Sequence, residues 1–241
     1  MHLPIYFDGQ LLRCLVVGGG PSVVRKTEAF VEAGASVTVI SPQADFKILV
    51  LSSLARVRWE QRMYATGDCV GYDLLVIGSE DESPKLELVA EARKHSIPVN
   101  VCGEHGMSTF FFPAVLHEGD LTVAVSSGGV APFMAVEFKR RLMSAVKGWG
   151  HWVRMAGRFR FAVLRNTKDR ERQEEYYEKY VSAGPFQIDP EPTEKTSIAE
   201  WLQILRHANP ATKPAKRQFE EPPLPETEHV EKGRMAHEPA K

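Results

Sequence analysis

Long apolar runs are missing from this 241-residue chain: none approaches the roughly 18 residues a membrane-spanning helix needs, so no membrane partner is expected. The start, Met1 to Gln10, lacks the basic stretch and apolar run of a secretory leader. Cysteine is scarce as well. Cys14, Cys69 and Cys102 are too few and too scattered for a disulfide framework or a Cys-x-x-Cys knuckle, so no metal is expected. Reduced thiols in a cytoplasmic protein fit that spacing. Excess charge of one sign is also absent, with 30 basic side chains against 31 acidic ones. That balance excludes a generally basic nucleic-acid binder, although it leaves local patches open. What is present is a 43% hydrophobic composition, enough for a packed core in one large domain or two smaller ones.

Up to residue 112, short apolar runs alternate with amphipathic stretches. Strands are predicted at Cys14 to Val17, Ser36 to Ser41, Leu74 to Ile77 and Ile97 to Val101. Helices are predicted at Val23 to Ala33, closed by Gly34, and at Leu86 to Lys94, with Pro84 near the first turn. Apolar strands separated by helices predict a parallel sheet covered on both faces. Residues 113–147 change texture, with a strand at Leu121 to Ser126 and a helix at Pro132 to Val146. Residues 148–206 read as helical, in segments Trp149 to Leu164, Asp169 to Val181 and Ser197 to Arg206. The last segment, 207–241, holds six prolines and a single aromatic, Phe219, and is expected not to fold. No internal repeat is evident.

The sharpest motif is Gly18-Gly19-Gly20-Pro21-Ser22, between the first strand and the first helix. A dinucleotide pyrophosphate needs that geometry, because Gly18 and Gly20 let backbone approach closely and the helix start offers free N–H groups. Pro21 suits a first helical position, and Ser22 adds a hydroxyl. The alternative is a tight turn that binds nothing. Val23 stands where the general pattern has a third glycine, which predicts looser helix–strand packing. The expected architecture is α/β, with a Rossmann-like domain over 1–112, a small α+β segment over 113–147 and a helical region over 148–206. At the end of the second strand, an acidic residue would favour NAD and a basic one NADP. Ser41-Pro42-Gln43 supplies neither charge, which leaves Ser41 or Gln43 to bond the ribose and the cofactor choice open. Ser79 and Asn100, at the carboxyl ends of later strands, complete the candidate cofactor contacts. Glu80 and Asp81 alternatively open the next helix.

Several segments, taken in order, resemble a known family. They are Leu3-Pro4-Ile5-Tyr6, Cys14 to Lys26, Glu32 to Ile40, Pro98 to Val101, Thr109 to Ala114, and Leu121 to Gly129 with Pro132 three residues on. Together they are similar to the dehydrogenase/ferrochelatase module of siroheme synthase, whose stand-alone form is precorrin-2 dehydrogenase. The resemblance implies NAD-dependent oxidation of precorrin-2 to sirohydrochlorin. It also implies a homodimer formed through residues 113–147, and cofactor contacts at Pro21, Ser22, Pro42 and Gln43. An aspartate that bifunctional members use for proton handling and metal insertion falls here on Gly103, which has no side chain for either task. Dehydrogenase without chelatase is therefore expected. The alternatives are a bifunctional enzyme using Glu104 or His105, or a non-catalytic tetrapyrrole- or NAD-binding protein. Ser127 matches a serine near the active site in relatives, or it is a turn serine bonding its own backbone.

The implied substrate is an octacarboxylate tetrapyrrole, so a basic surface is expected. Eleven Lys or Arg lie between Lys139 and Arg172, opposed within that window only by Asp169 and Glu171. Lys139, Arg140 and Arg141 are the candidate carboxylate contacts. The alternative is a solvated helix face. No nucleic-acid motif accompanies the basic run, and nucleic acid is not an expected partner. Trp149, Trp152, Phe159 and Phe161 read as core or interface aromatics rather than a stacking platform.

Overall fold

Strands built from residues that are apolar on both faces must be covered on both faces. In the computed structural model, which describes residues 2–78, 82–185 and 191–208, that is the arrangement found. Strands β1 (Arg13–Val17), β2 (Ser36–Ile40), β3 (Arg58–Glu60), β4 (Leu74–Ile77) and β5 (Val99–Val101) form one sheet. Its order is β3-β2-β1-β4-β5, and every pairing is parallel. Alternate residues serve opposite cores. Cys14, Val16, Val39 and Val76 pack beneath helices α1 (Pro21–Glu32) and α2 (Phe46–Ser53), through Val23, Phe30 and Ile48. Leu15, Val17, Leu75, Ile77 and Val99 pack beneath α3 (Glu82–Lys94), through Leu88, Val89 and Ala92.

Local chemistry closes each element. Helix α1 ends in a Schellman motif: Gly34, at φ +84°, donates to the Val31 carbonyl and Ala35 donates to that of Phe30. No helix bridges β3 and β4. Instead Tyr64, Cys69 and Tyr72 of the connecting loop pack on the second core. The Glu91 carboxylate holds that loop, accepting from the Tyr64 hydroxyl at 2.9 Å and from Gly67 N–H at 2.6 Å. Burial, with the Cys69 and Glu91 contacts, pushes the Tyr64 hydroxyl pKa upward.

An antiparallel hairpin follows, β6 (Ala114–Glu118) with β7 (Leu121–Val125), turning on Gly119 at φ +55°. Helix α4 (Pro132–Ala145) packs on it. The chain divides into two compact units between Val146 and Lys147, so hairpin and α4 fall in the same unit as the sheet. The second unit holds α5 (Trp149–Asn166), α6 (Arg170–Ala183) and α7 (Ile198–His207). Its core joins Met155, Phe159, Tyr180 and Trp201, with Phe159 stacked on Tyr180 at 5.1 Å. Of the four aromatics expected in a core or an interface, Phe159 is buried, Trp149 and Trp152 are half-buried and Phe161 is exposed. Helix α7 runs to His207, one residue into the segment expected not to fold; residues 209–241 lie outside the described residues.

The looser packing expected at Val23 is not what forms. Val23 is fully buried, and a Cβ added to Gly78, just past β4, would lie 2.2 Å from its Cγ1. The glycine that allows helix and sheet to approach sits on the strand side of the contact. Gly78→Ala should therefore destabilise the fold by about 1–3 kcal/mol through overpacking. In urea unfolding, adding Val23→Ala to that variant should recover part of the loss.

Candidate functional site

The strand order reverses at β1, so the carboxyl ends of β1 and β4 flank the crevice where ligands of open α/β sheets bind. The three glycines there meet different constraints. Gly18 has φ +109°, and a Cβ on it would lie 3.1 Å from the Gly78 carbonyl carbon. A Cβ on Gly19 would lie 1.9 Å from the Gln43 carbonyl oxygen, because the β2–α2 loop docks on the glycine turn through Asp45 N–H to Gly19 O at 2.7 Å. Gly20, the residue capping α1, has φ −80°, and its Cβ would meet nothing within 4 Å. The protein itself does not require a glycine there. No side chain caps α1, its first turn carries no acidic residue, and Pro21 and Ser22 are exposed. Open space over an uncapped helix start fits a pyrophosphate.

The other candidate cofactor residues separate. Pro42 and Gln43 are exposed beside the glycine turn. Ser41 is buried, and its hydroxyl and carbonyl oxygens both accept from the Trp59 indole, at 3.3 and 3.1 Å, which withdraws it from ribose contact. Asn100 is buried too: its amide donates to Phe110 O at 2.9 Å, while Oδ1 has no partner. Ser79, with Glu80 and Asp81, lies outside the described residues.

A second convergence lies in the same unit. The chain after β5 folds back along it, with Thr109 Oγ1 accepting from Val99 N–H at 2.8 Å and Ser108 Oγ from Val101 N–H at 2.9 Å. Between those anchors sit Gly103, Glu104 and His105. Gly103 has φ +81°, a left-handed conformation that favours glycine. Glu104 lies 3.5 Å from the buried Lys85 ammonium. The His105 ring packs against Phe111 at 4.3 Å and fills the space a Cβ on Gly129 would occupy. His105 therefore touches the Ser126–Gly129 turn. His2 adjoins the same group, 4.7 Å from the Phe111 ring; a lone histidine near the start of the chain gave no signal of this. The Ser127 hydroxyl accepts from Ala131 N–H at 3.1 Å, the local turn bond weighed from the sequence. Cys102 sits against the first turn of α1, with Lys26 Nζ 2.8 Å from its sulfur. Among the described residues, no three His, Cys, Asp or Glu side chains could hold a metal ion.

The basic run is less bare in space than in sequence. Glu137 accepts from Arg140 Nε and Nη2 at 2.8 Å each and from Arg141 Nε at 2.7 Å. Those two guanidinium groups pull its carboxyl down to about 2. Lys139, on the same helix, is half-buried. In the second unit Arg158 pairs with Glu191 at 2.9 Å, and Arg165 donates to the Glu194 carbonyl. These acceptors lie outside the window in which only two acids were counted.

Sheet order, glycine turn and open helix start define a dinucleotide-binding α/β domain, and residues 5–114 match the family described as "Putative NAD(P)-binding". The chain is 31% identical over 185 residues to siroheme synthase from Methylococcus capsulatus, covering 76% of this chain and 39% of that protein. It is 32% identical over 215 residues to siroheme synthase 1 from Halorhodospira halophila, covering 87% and 44%. The solved structure of SirC, precorrin-2 dehydrogenase, shares the fold, with TM-score 0.59 at 20% identity over 85% of this chain and 98% of that one. The chain is therefore similar to siroheme synthases over most of its own length and shares the fold of a precorrin-2 dehydrogenase. It spans about two-fifths of the length of the siroheme synthases it matches.

Because Gly20 has room for a side chain at an ordinary φ, Gly20→Val should leave the fold intact by circular dichroism and thermal melting. It should weaken NADH binding at least about tenfold in fluorescence titration. Unchanged affinity would refute the pyrophosphate assignment.

Proposed function

We propose that this chain is a cytoplasmic, homodimeric NAD-dependent dehydrogenase that oxidises precorrin-2 to sirohydrochlorin and lacks chelatase activity. The observation that carries the reading is the open, uncapped helix start at Gly20, in a chain related to siroheme synthases over three-quarters of its length. NAD, when bound, accepts the hydride, and the oxidation releases one proton besides. Gly18, Gly20, Pro21 and Ser22 hold the pyrophosphate, with Pro42 and Gln43 beside the adenosine ribose. Asn100 acts through Phe110, fixing the return of the 103–110 loop. Glu104 and His105 are the candidate proton acceptors, and His105 already borders the Ser127 turn. Lys139, Arg140 and Arg141 take substrate carboxylates.

Homodimerisation through residues 113–147 has support in α4, where Phe133, Val136, Phe138 and Met143 are all at least half exposed. Leu3, Ile5, Tyr6 and Phe7 of the first segment are exposed in the same way. No helix among the described residues is long and apolar enough to cross a membrane.

Purified protein supplied with precorrin-2 and NAD should produce sirohydrochlorin absorbance and NADH in equal amounts. No turnover at stoichiometric protein overturns the dehydrogenase reading in favour of a non-catalytic binder. With sirohydrochlorin and Fe²⁺ or Co²⁺, insertion should run no faster than without protein. Acceleration that disappears in Glu104→Gln or His105→Ala would instead make the chain bifunctional.

A further inference from the structure

An uncharged Ser41-Pro42-Gln43 leaves the choice between the two nicotinamide dinucleotides unexplained at the position where it is ordinarily made. We propose that discrimination against the 2′-phosphate is built into the neighbouring strand, where Glu60 and Asp68 bind Arg62 so fully that it has no donor left to offer. This rests on the dinucleotide reading above and adds its specificity determinant.

The juxtaposition is direct. Glu60 ends β3 in register with Ile40 of β2, and Ser41 N–H donates to Glu60 O at 3.2 Å. The Gln61 amide donates to Pro42 O at 3.3 Å. Residues 60–62 therefore flank the ribose corner, and Arg62 is the basic residue among them. A guanidinium has five N–H donors. Arg62 Nε donates to Glu60 at 3.0 Å and Nη2 to Glu60 at 2.6 Å and Asp68 at 3.0 Å. Nη1 donates to Asp68 at 2.5 Å and to Met63 O at 3.1 Å. All five are taken. Asp68 is itself fixed by Ala65 N–H at 2.8 Å, and Arg62 holds its carboxyl below the ordinary range.

Neighbouring cations are committed as well. Arg58, at the far end of the three-residue β3, pairs with Glu60 at 3.0 Å, and Lys47 pairs with Glu28 at 3.5 Å. An incoming 2′-phosphate meets two carboxylates and must break their bonds to reach Arg62. A 2′-hydroxyl needs only a neutral partner, which the exposed Gln43 amide supplies.

Fluorescence titration of the full chain with NADH and NADPH tests this without turnover. The unaltered protein should bind NADH at least about tenfold more tightly. Glu60→Gln with Asp68→Asn should raise NADPH affinity about tenfold and leave NADH affinity nearly unchanged. Adding Arg62→Ala to that pair should remove the gain. Arg62→Ala alone, which leaves Glu60 and Asp68 without that counter-ion, should not strengthen NADPH binding and should leave NADH affinity nearly unchanged, which keeps the test decisive if the double variant fails to fold. Equal affinities in the unaltered protein overturn the inference, as does a gain that survives Arg62→Ala, or stronger NADPH binding in the single variant. Binding of neither dinucleotide overturns the proposed function and this inference together.

Discussion

The contact between Val23 and Gly78 sets the geometry on which the site depends. Full burial of a valine is worth about 1.5–3 kcal/mol, and here part of it is obtained against the bare backbone of Gly78. That brings the first turn of α1 down onto the end of β4, across the point where the strand order reverses. Gly18 then lies against Gly78, and Gly19 lies under the Gln43 carbonyl. Two glycines of the triplet are thus explained by the protein around them. Gly20 is not, and an unexplained glycine at an uncapped helix start is the strongest local indication that something other than protein fills the space.

Backbone geometry also decides what the loop after β5 can do. Ser108 and Thr109 tie its return to Val101 and Val99, so the few residues between must turn tightly. Gly103 takes the left-handed conformation that turn requires. Glycine offers no side chain at that position, and the proposed proton acceptors are the next two residues of the loop. Of these, Glu104 is held by Lys85, whereas His105 is packed between Phe111 and the Gly129 turn. Their surroundings differ in kind: one is electrostatic, the other a matter of ring contacts.

Long apolar strands and the helices between them were legible in the sequence because burial on both faces leaves a continuous signature. β4 falls on its expected residues, and β1 and β2 agree to within one. What stayed hidden has physical causes. β3 is three residues long and sits at the sheet edge, too short to show a period. α2 runs Phe-Lys-Ile-Leu-Val-Leu, where apolar residues are so dense that no face stands out. β6 is defined by its pairing with β7, a contact across a turn that local pattern does not carry. Val23 misled because helix packing depends on the sum of two surfaces, and the compensating glycine lies 55 positions away. The charge window was incomplete for the same reason: Glu137 and Glu191 close on its arginines from outside it.

Both ligands proposed for this chain are anions, and paired arginines treat them in opposite ways according to stoichiometry. At Arg62, one guanidinium faces two carboxylates and every donor is used; Arg58 pairs with Glu60 as well, so the cluster keeps no positive excess. At Glu137 the ratio is inverted: two guanidinium groups share one carboxylate, and Arg141 binds it through Nε alone among the described contacts. The second cluster keeps a positive excess and spare donors in fork geometry, which suits a further carboxylate. The pyrophosphate needs neither, because helix N–H groups supply partial positive charge without a side chain that could pair elsewhere. Affinity for an anion here follows from how many donors remain unspent after folding, which a count of arginines along the sequence does not reveal.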